Sequence, residues 1–111
     1  MKRIYTYGHE QVQRNITIGD IIENKKNGLK MTQVTAQNKE EAEILSDQNI
    51  DMIITGSDAY EDVRSGAPNT FITAALFAGR FITKDDILKG AIEVAMKGAD
   101  SVLTPRSPEI V

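Results

Sequence analysis

With 111 residues, 41% of them hydrophobic and 26% charged, the chain has the composition of a globular domain with a core of its own, which excludes extended disorder. A formal net charge of −3 without any block of Lys and Arg excludes a basic stripe, so no nucleic-acid partner is expected. The absence of cysteine excludes disulfides, thiolate nucleophiles and zinc–thiolate sites, and fits a reducing cytoplasm.

Residues 1–16 are polar and lack a clear period. They read as an N-terminal extension packed against the domain, with a short strand from Lys2 to Tyr7 and a turn at Gly8-His9. Two early positive charges without an apolar run do not make a signal peptide. No later segment reaches the ~18 apolar residues of a membrane span. The expectation is a cytoplasmic protein with no membrane partner.

Residues 17–111 alternate helix and strand. Thr17-Ile18-Gly19-Asp20 has the spacing of a helix start, with Thr17 as cap and Asp20 reaching back, and Asn27-Gly28 supplies the stop. Leu29 to Thr35 reads as a strand. Asn38 to Gln48 reads as a helix with Ala42, Ile44 and Leu45 turned inward. Asp51 to Thr55 is a short strand whose continuous apolar run suits burial on both faces. A short helix around Tyr60 to Ser65 follows, then a strand from Thr70 to Leu76. Thr83 caps a helix carrying Ile87, Leu88, Ala91, Val94 and Ala95 as far as Gly98, and Ser101 to Thr104 is the fourth strand. Such alternation predicts parallel βαβ units.

An internal echo supports repetition. Asn49-Ile50-Asp51-Met52-Ile53-Ile54-Thr55 aligns with Gly98-Ala99-Asp100-Ser101-Val102-Leu103-Thr104 at a constant offset of about two βα units. Chance likeness between short βα joints is the alternative. Ser107-Pro108-Glu109 then has the makings of another helix start. The fold class expected is α/β, with parallel (β/α) units forming the first half of a TIM-type (β/α)8 barrel. A closed barrel needs eight strands and about 250 residues. Either the chain is the first half of something longer, or two copies meet to close one barrel.

Barrels of this type keep their chemistry at the carboxyl ends of the strands. That rule selects Thr35, Gln37 and Asn38, then Thr55, Ser57 and Asp58, then Ala75 to Gly79, and finally Thr104, Arg106 and Ser107. Asp58 is the one carboxylate closely following a strand in this set. It is a candidate ligand for Mg²⁺, which prefers carboxylate oxygen, or a cap for the helix after it. Arg106 is a candidate clamp for a substrate carboxylate, assisted by Ser107 and the amides of the new helix, or an ordinary surface arginine. Thr35, Ser57 and Thr104 complete the candidate substrate-binding set. His9, the sole histidine, reads as solvated, and the four methionines as core filler. No phosphate-binding glycine loop and no nucleophile beside a base is present.

Phe71-Ile72-Thr73-Ala74-Ala75-Leu76-Phe77-Ala78-Gly79, the Thr83 helix and Gly98-Ala99-Asp100-Ser101-Val102-Leu103 resemble ketopantoate hydroxymethyltransferase (3-methyl-2-oxobutanoate hydroxymethyltransferase). Ile16 to Ile22 looks like the opening helix of that family. Val34-Thr35-Ala36 and Ile50 to Gly56 look like its first two strands. The resemblance runs in order over roughly residues 16–107. It implies a barrel of the phosphoenolpyruvate mutase/isocitrate lyase group, a homo-oligomer, and a transferase of pantothenate biosynthesis. Such an enzyme moves a hydroxymethyl group from methylenetetrahydrofolate to a branched 2-oxo acid with Mg²⁺. The sequence departs from the family at its site. Gly56-Ser57-Asp58 stands for Gly-Asp-Ser, Ala75 falls at a metal-binding aspartate, Leu103 at a lysine and Pro105 at an acid. Aldol-type hydroxymethyl transfer is thus one expectation. The alternative is a divergent or inactive paralogue that binds a small carboxylate or serves as an oligomer partner.

Overall fold

The structure is a computed structural model, and it describes residues 1–76 and 83–104. The chain opens with a hairpin, β1 (Lys2–Tyr5) paired antiparallel to β2 (Gln11–Arg14). Its turn is closed by the His9 amide donating to the Thr6 carbonyl at 2.9 Å. The sequence reading placed only the first of these strands. The second, Gln-Val-Gln-Arg, hides its period because the most buried of its residues is an arginine.

Helix α1 (Ile18–Lys26) follows from local chemistry. The Thr17 hydroxyl accepts from the Asp20 amide, and the Asp20 carboxylate accepts from the Thr17 amide, a reciprocal cap. None of its residues is buried. Beyond it come β3 (Gln33–Thr35), α2 (Lys39–Ser46), β4 (Met52–Gly56), α3 (Tyr60–Gly66), β5 (Phe71–Ala75), α4 (Lys84–Met96) and β6 (Ser101–Leu103). The last four strands form one sheet in the order β3-β4-β5-β6, every neighbour parallel. This is the α/β architecture that alternation implies, a parallel sheet flanked by helices. Leu29 stays outside β3 and is exposed.

The core lies between one face of this sheet and the helices. Ile53, Ile72 and Ala74 meet Ala42, Tyr60, Val63 and Val94 there, all nearly inaccessible to water. Helices α2 and α3 touch because Gly66 has no side chain. A Cβ at that position would stand 2.4 Å from the Lys39 carbonyl oxygen. Helix α4 gives way to β6 at Gly98, whose φ of +107° suits a residue without a Cβ.

Three details depart from the sequence reading. Met52 and Ile54, on the other face of β4, are only half-buried, so burial is one-sided along this strand. Ile44 is exposed, at 62%, rather than turned inward, and Leu88 on α4 is exposed as well, at 60%. The methionines do not fill the core: Met1 and Met96 are exposed, and Met31 and Met52 are half-buried. The apolar residues of short strands and helices thus exceed what a single layer of helices covers.

Candidate functional site

The parallel register sets the carboxyl ends of the four strands level. Thr35 lies beside Ile54, Gly56 beside Ala75, and Ala75 beside Leu103. The ladder continues one step past the strand ends. The Ala36 amide donates to Ile54, Ser57 to Ala75 and Leu76 to Leu103, at 3.1, 2.9 and 2.9 Å. Thr35, Ser57, Asp58 and Thr104 therefore stand on one common rim. Thr35, Asp58 and Thr104 are exposed and Ser57 is half-buried. Arg106 and Ser107, as well as Gly79, Arg80 and Pro105, lie outside the described residues.

The rim is partly self-satisfied. The Asn38 side chain caps α2 by accepting from the Glu41 amide at 2.8 Å. The Gln37 amide donates to the Glu41 carboxylate and the Lys39 amide to Asp62, each at 2.9 Å. These carboxylates occupy amides that would otherwise attract an anion. The N-cap position of α3 is Ala59, and no side-chain hydrogen bond caps it. Thr55 points to the helix side, where its hydroxyl is buried without a hydrogen-bond partner among the described residues. Ala75, at the tip of β5, carries no donor or acceptor side chain. Among the described residues no group of three His, Asp or Glu side chains converges as a metal centre would. Asp58 is thus the one carboxylate among the strand-end residues Thr35, Ser57, Asp58 and Thr104.

The densest polar chemistry lies at the opposite end, where the strands begin. The Asp100 carboxylate, with 3% of its side chain exposed, accepts from Arg14 Nε through both oxygens at 2.8 Å. It also accepts from Arg64 Nη2 at 2.9 Å and from the Ile72 amide at 3.0 Å. Arg14 donates further to the carbonyls of Gln13, Pro68 and Gly98. Arg64 donates to Ala67, Thr70 and the Tyr60 hydroxyl. Burial pushes the Tyr60 phenol up, and the neighbouring Arg64 guanidinium opposes part of that rise. Asn15 joins two strand starts, its amide donating to the Asp51 carbonyl and its side-chain oxygen accepting from the Phe71 amide, both at 2.9 Å. Charges and carbonyls here already have partners, so this end of the sheet works as a clamp.

The echo at Asp51 and Asp100 gains a physical meaning. Each aspartate precedes its strand and accepts the backbone amide of the residue that lies opposite it, at or just before the neighbouring strand. For Asp51 that partner is Thr32, at 2.9 Å, and for Asp100 it is Ile72. Sequence comparison of the two segments finds these residues. Arg14, Asn15 and Arg64 leave no such signal, because Arg14 sits 86 residues from its carboxylate.

A cleft of about 580 Å³ adjoins the clamp, between the hairpin and β6. Its lining is mostly apolar, including Ile4, Tyr5, Phe71, Ala95, Ala99 and Val102. The rim and this cleft are therefore at different ends of the strands. Among the described residues no helix is long and apolar enough to cross a membrane. Comparison of the chain with family models, with curated proteins and with solved structures finds no match.

Proposed function

We propose that this chain is half of a TIM-type (β/α)8 barrel whose carboxyl rim binds a small 2-oxo acid. In this reading it is a relative of ketopantoate hydroxymethyltransferase, acting in the cytoplasm. The observation that carries the reading is the register: four parallel strands in sequential order bring Thr35, Ser57, Asp58 and Thr104 to one rim. Thr35, Ser57 and Thr104 supply hydroxyl groups for the carboxylate and keto oxygens, and Arg106 with Ser107 supplies the cationic clamp. Asp58 is the Mg²⁺ ligand, and methylenetetrahydrofolate is the one-carbon donor. The reaction is aldol-type: water releases the one-carbon unit from methylenetetrahydrofolate as formaldehyde and leaves tetrahydrofolate, the carbon beside the keto group gives up its proton, the enolate adds to the formaldehyde carbon, and the new alkoxide takes up a proton in return.

A second reading, binding of a small carboxylate without transfer, is favoured by one specific feature. Ala75 and Leu103 stand side by side at the rim, where the resemblance implies an aspartate and a lysine. Isothermal titration of the chain with 3-methyl-2-oxobutanoate, with and without Mg²⁺, tests both readings. Saturable binding that Mg²⁺ tightens and Asp58→Asn abolishes supports the first. Binding indifferent to Mg²⁺ but lost in Ser57→Ala or Arg106→Ala supports the second. No heat at millimolar ligand refutes the rim site.

A further inference from the structure

We propose that Asn27-Gly28, at the end of α1, is a site of self-modification, where the Gly28 backbone nitrogen displaces ammonia from the Asn27 side chain. None of the rim residues takes part.

The step balances with water as its only co-reactant. The Gly28 nitrogen gives up its proton to a base and attacks Asn27 Cγ. A C–N bond forms, a five-membered succinimide ring closes, and the side-chain nitrogen leaves as ammonia, taking a proton in return. Water then adds to one of the two ring carbonyls. Addition at Cγ breaks the new bond and leaves aspartate. Addition at the main-chain carbonyl carbon breaks the original peptide bond instead. It leaves isoaspartate, in which the chain runs through Cβ and Cγ.

Sequence and surroundings single out this asparagine. The nucleophile belongs to the next residue, so a side chain on that residue crowds it, and glycine has none. Asn27 alone among the asparagines precedes glycine, while the others precede Ile, Lys or Thr. A Cβ built on Gly28 meets no atom within 4 Å, so no neighbour blocks the approach. Asn27 is exposed, and its side chain has no hydrogen-bond partner among the described residues. Asn15 and Asn38 differ, since their side chains are held. Asn15 bonds to Asp51 and Phe71, and Asn38 accepts from the Glu41 amide.

The backbone sets what the reaction must wait for. Asn27 has a ψ of 2°, which eclipses the Gly28 nitrogen with the Asn27 nitrogen and keeps it away from Cβ. Ring closure needs it on the Cβ side. That rotation breaks two bonds of the helix cap, which holds Gly28 at φ +72°. In it the Gly28 amide donates to the Lys25 carbonyl at 3.2 Å, and the Leu29 amide to Asn24 at 2.8 Å. Opening this turn costs little. Such caps are often locked by an apolar contact from the residue after the glycine back to the helix. Here that residue, Leu29, is 60% exposed, and the helix offers it Glu23 and Asn24. A nine-residue helix with no buried residue also draws little support from the rest of the fold.

Either product leaves a carboxylate at the carboxyl end of α1, where the unpaired carbonyls are already negative. Lys25 and Lys26 in the last turn offset part of that charge. Isoaspartate also adds a backbone atom before Gly28, which takes the Gly28 and Leu29 amides out of register with their carbonyls. The modified chain is expected to lose helix at α1 and keep its sheet.

Incubation of the full 111-residue chain in mildly alkaline buffer, then proteolysis and mass spectrometry of the peptide holding Asn27, tests this. Two products are expected, each heavier by the exchange of NH₂ for OH, with isoaspartate identified by fragmentation and ammonia released in step. Conversion should rise with pH, because the nucleophile is the deprotonated amide. In Gly28→Ala it should fall about tenfold or more, since the added methyl group crowds the nitrogen. The same difference should persist in urea, where both chains are unfolded and any effect of the substitution on the fold is gone. In Thr17→Ala, which removes the cap at the start of α1, conversion should rise about fivefold. Conversion spread evenly over the asparagines, aspartate without isoaspartate, Gly28→Ala as fast as wild type in urea, or no conversion at all would each overturn the assignment. A Thr17→Ala rate equal to that of wild type would overturn the control by α1.

Discussion

Asp51 and Asp100 hold equivalent places in the strand ladder but very different surroundings, and Asp→Asn at each position separates the two effects. At Asp51 the substitution turns an exposed, charge-assisted bond from the Thr32 amide into a neutral one, a loss of about 0.5–1.5 kcal/mol. At Asp100 it removes the charge facing two guanidinium groups, and with the amide oxygen in the Oδ2 place it turns its NH₂ toward Arg14 Nε. Arg64 keeps the Tyr60 hydroxyl and the carbonyls of Ala67 and Thr70. Arg14 keeps only carbonyl partners with 3% of its side chain exposed, so most of the cost falls there. Removing one partner of a buried pair costs about 3–5 kcal/mol. That is a large share of the roughly 5–15 kcal/mol that stabilises a domain. With a urea slope of about 1.5 kcal/mol/M, the midpoint falls by about 2–3 M for Asp100→Asn and by under about 1 M for Asp51→Asn. Both are measured at one fixed protein concentration. Replacing Arg14 by Met in the Asp100→Asn background should recover part of the loss, since it removes the stranded charge. Equal midpoint shifts at the two aspartates, or no recovery, would refute the clamp as the source of stability.

Three further outcomes follow from single contacts. Gly66→Ala drives a methyl group against the Lys39 carbonyl oxygen and the Ala42 side chain, and should lower stability by about 1–3 kcal/mol in urea unfolding. Thr55→Val replaces a buried hydroxyl that has no partner among the described residues, so stability should hold or rise by up to about 1 kcal/mol; a loss above that would mean the hydroxyl is bonded. Tyr60, whose pKa is raised above 10.0 chiefly by burial, stays protonated in the fold after the unfolded chain has begun to ionise. Its contribution is therefore complete below pH 10 and lost as pH climbs toward the folded value, and Tyr60→Phe should flatten that alkaline limb of the stability curve.

What the sequence reveals depends on how local the physics is. The Thr17–Asp20 cap, the Thr83 cap and the Gly98 stop are settled within a few residues, and all appear where spacing predicts them. Parallel pairing is legible because strands and helices alternate at short intervals. Strand β2 is not, since its inward residue is Arg14, and a buried arginine looks like any polar residue until its carboxylate is known. Ile44 misleads for a related reason. Periodicity shows that a face is apolar, but not whether the neighbour that covers it lies beneath the helix or beside it. The rim residues Thr35, Ser57, Asp58 and Thr104 can be found by a rule about strand ends, whereas what they bind depends on side chains the rule does not choose.

The two ends of the sheet differ in how their polar groups are spent. At the amino end Arg14, Arg64, Asp100 and Asn15 tie together the hairpin, α3 and the starts of β4, β5 and β6, with buried charge matched by partners. At the carboxyl end the strands finish in Thr35, Gly56, Ala75 and Leu103, residues that make few demands on one another. Substitution there costs little stability, because no buried charge loses its partner. A rim can therefore change its side chains while the clamp holds the strands in register. That separation lets the strand ends, Ala75 and Leu103 included, vary while the parallel sheet keeps its register, so binding experiments are best aimed at the rim.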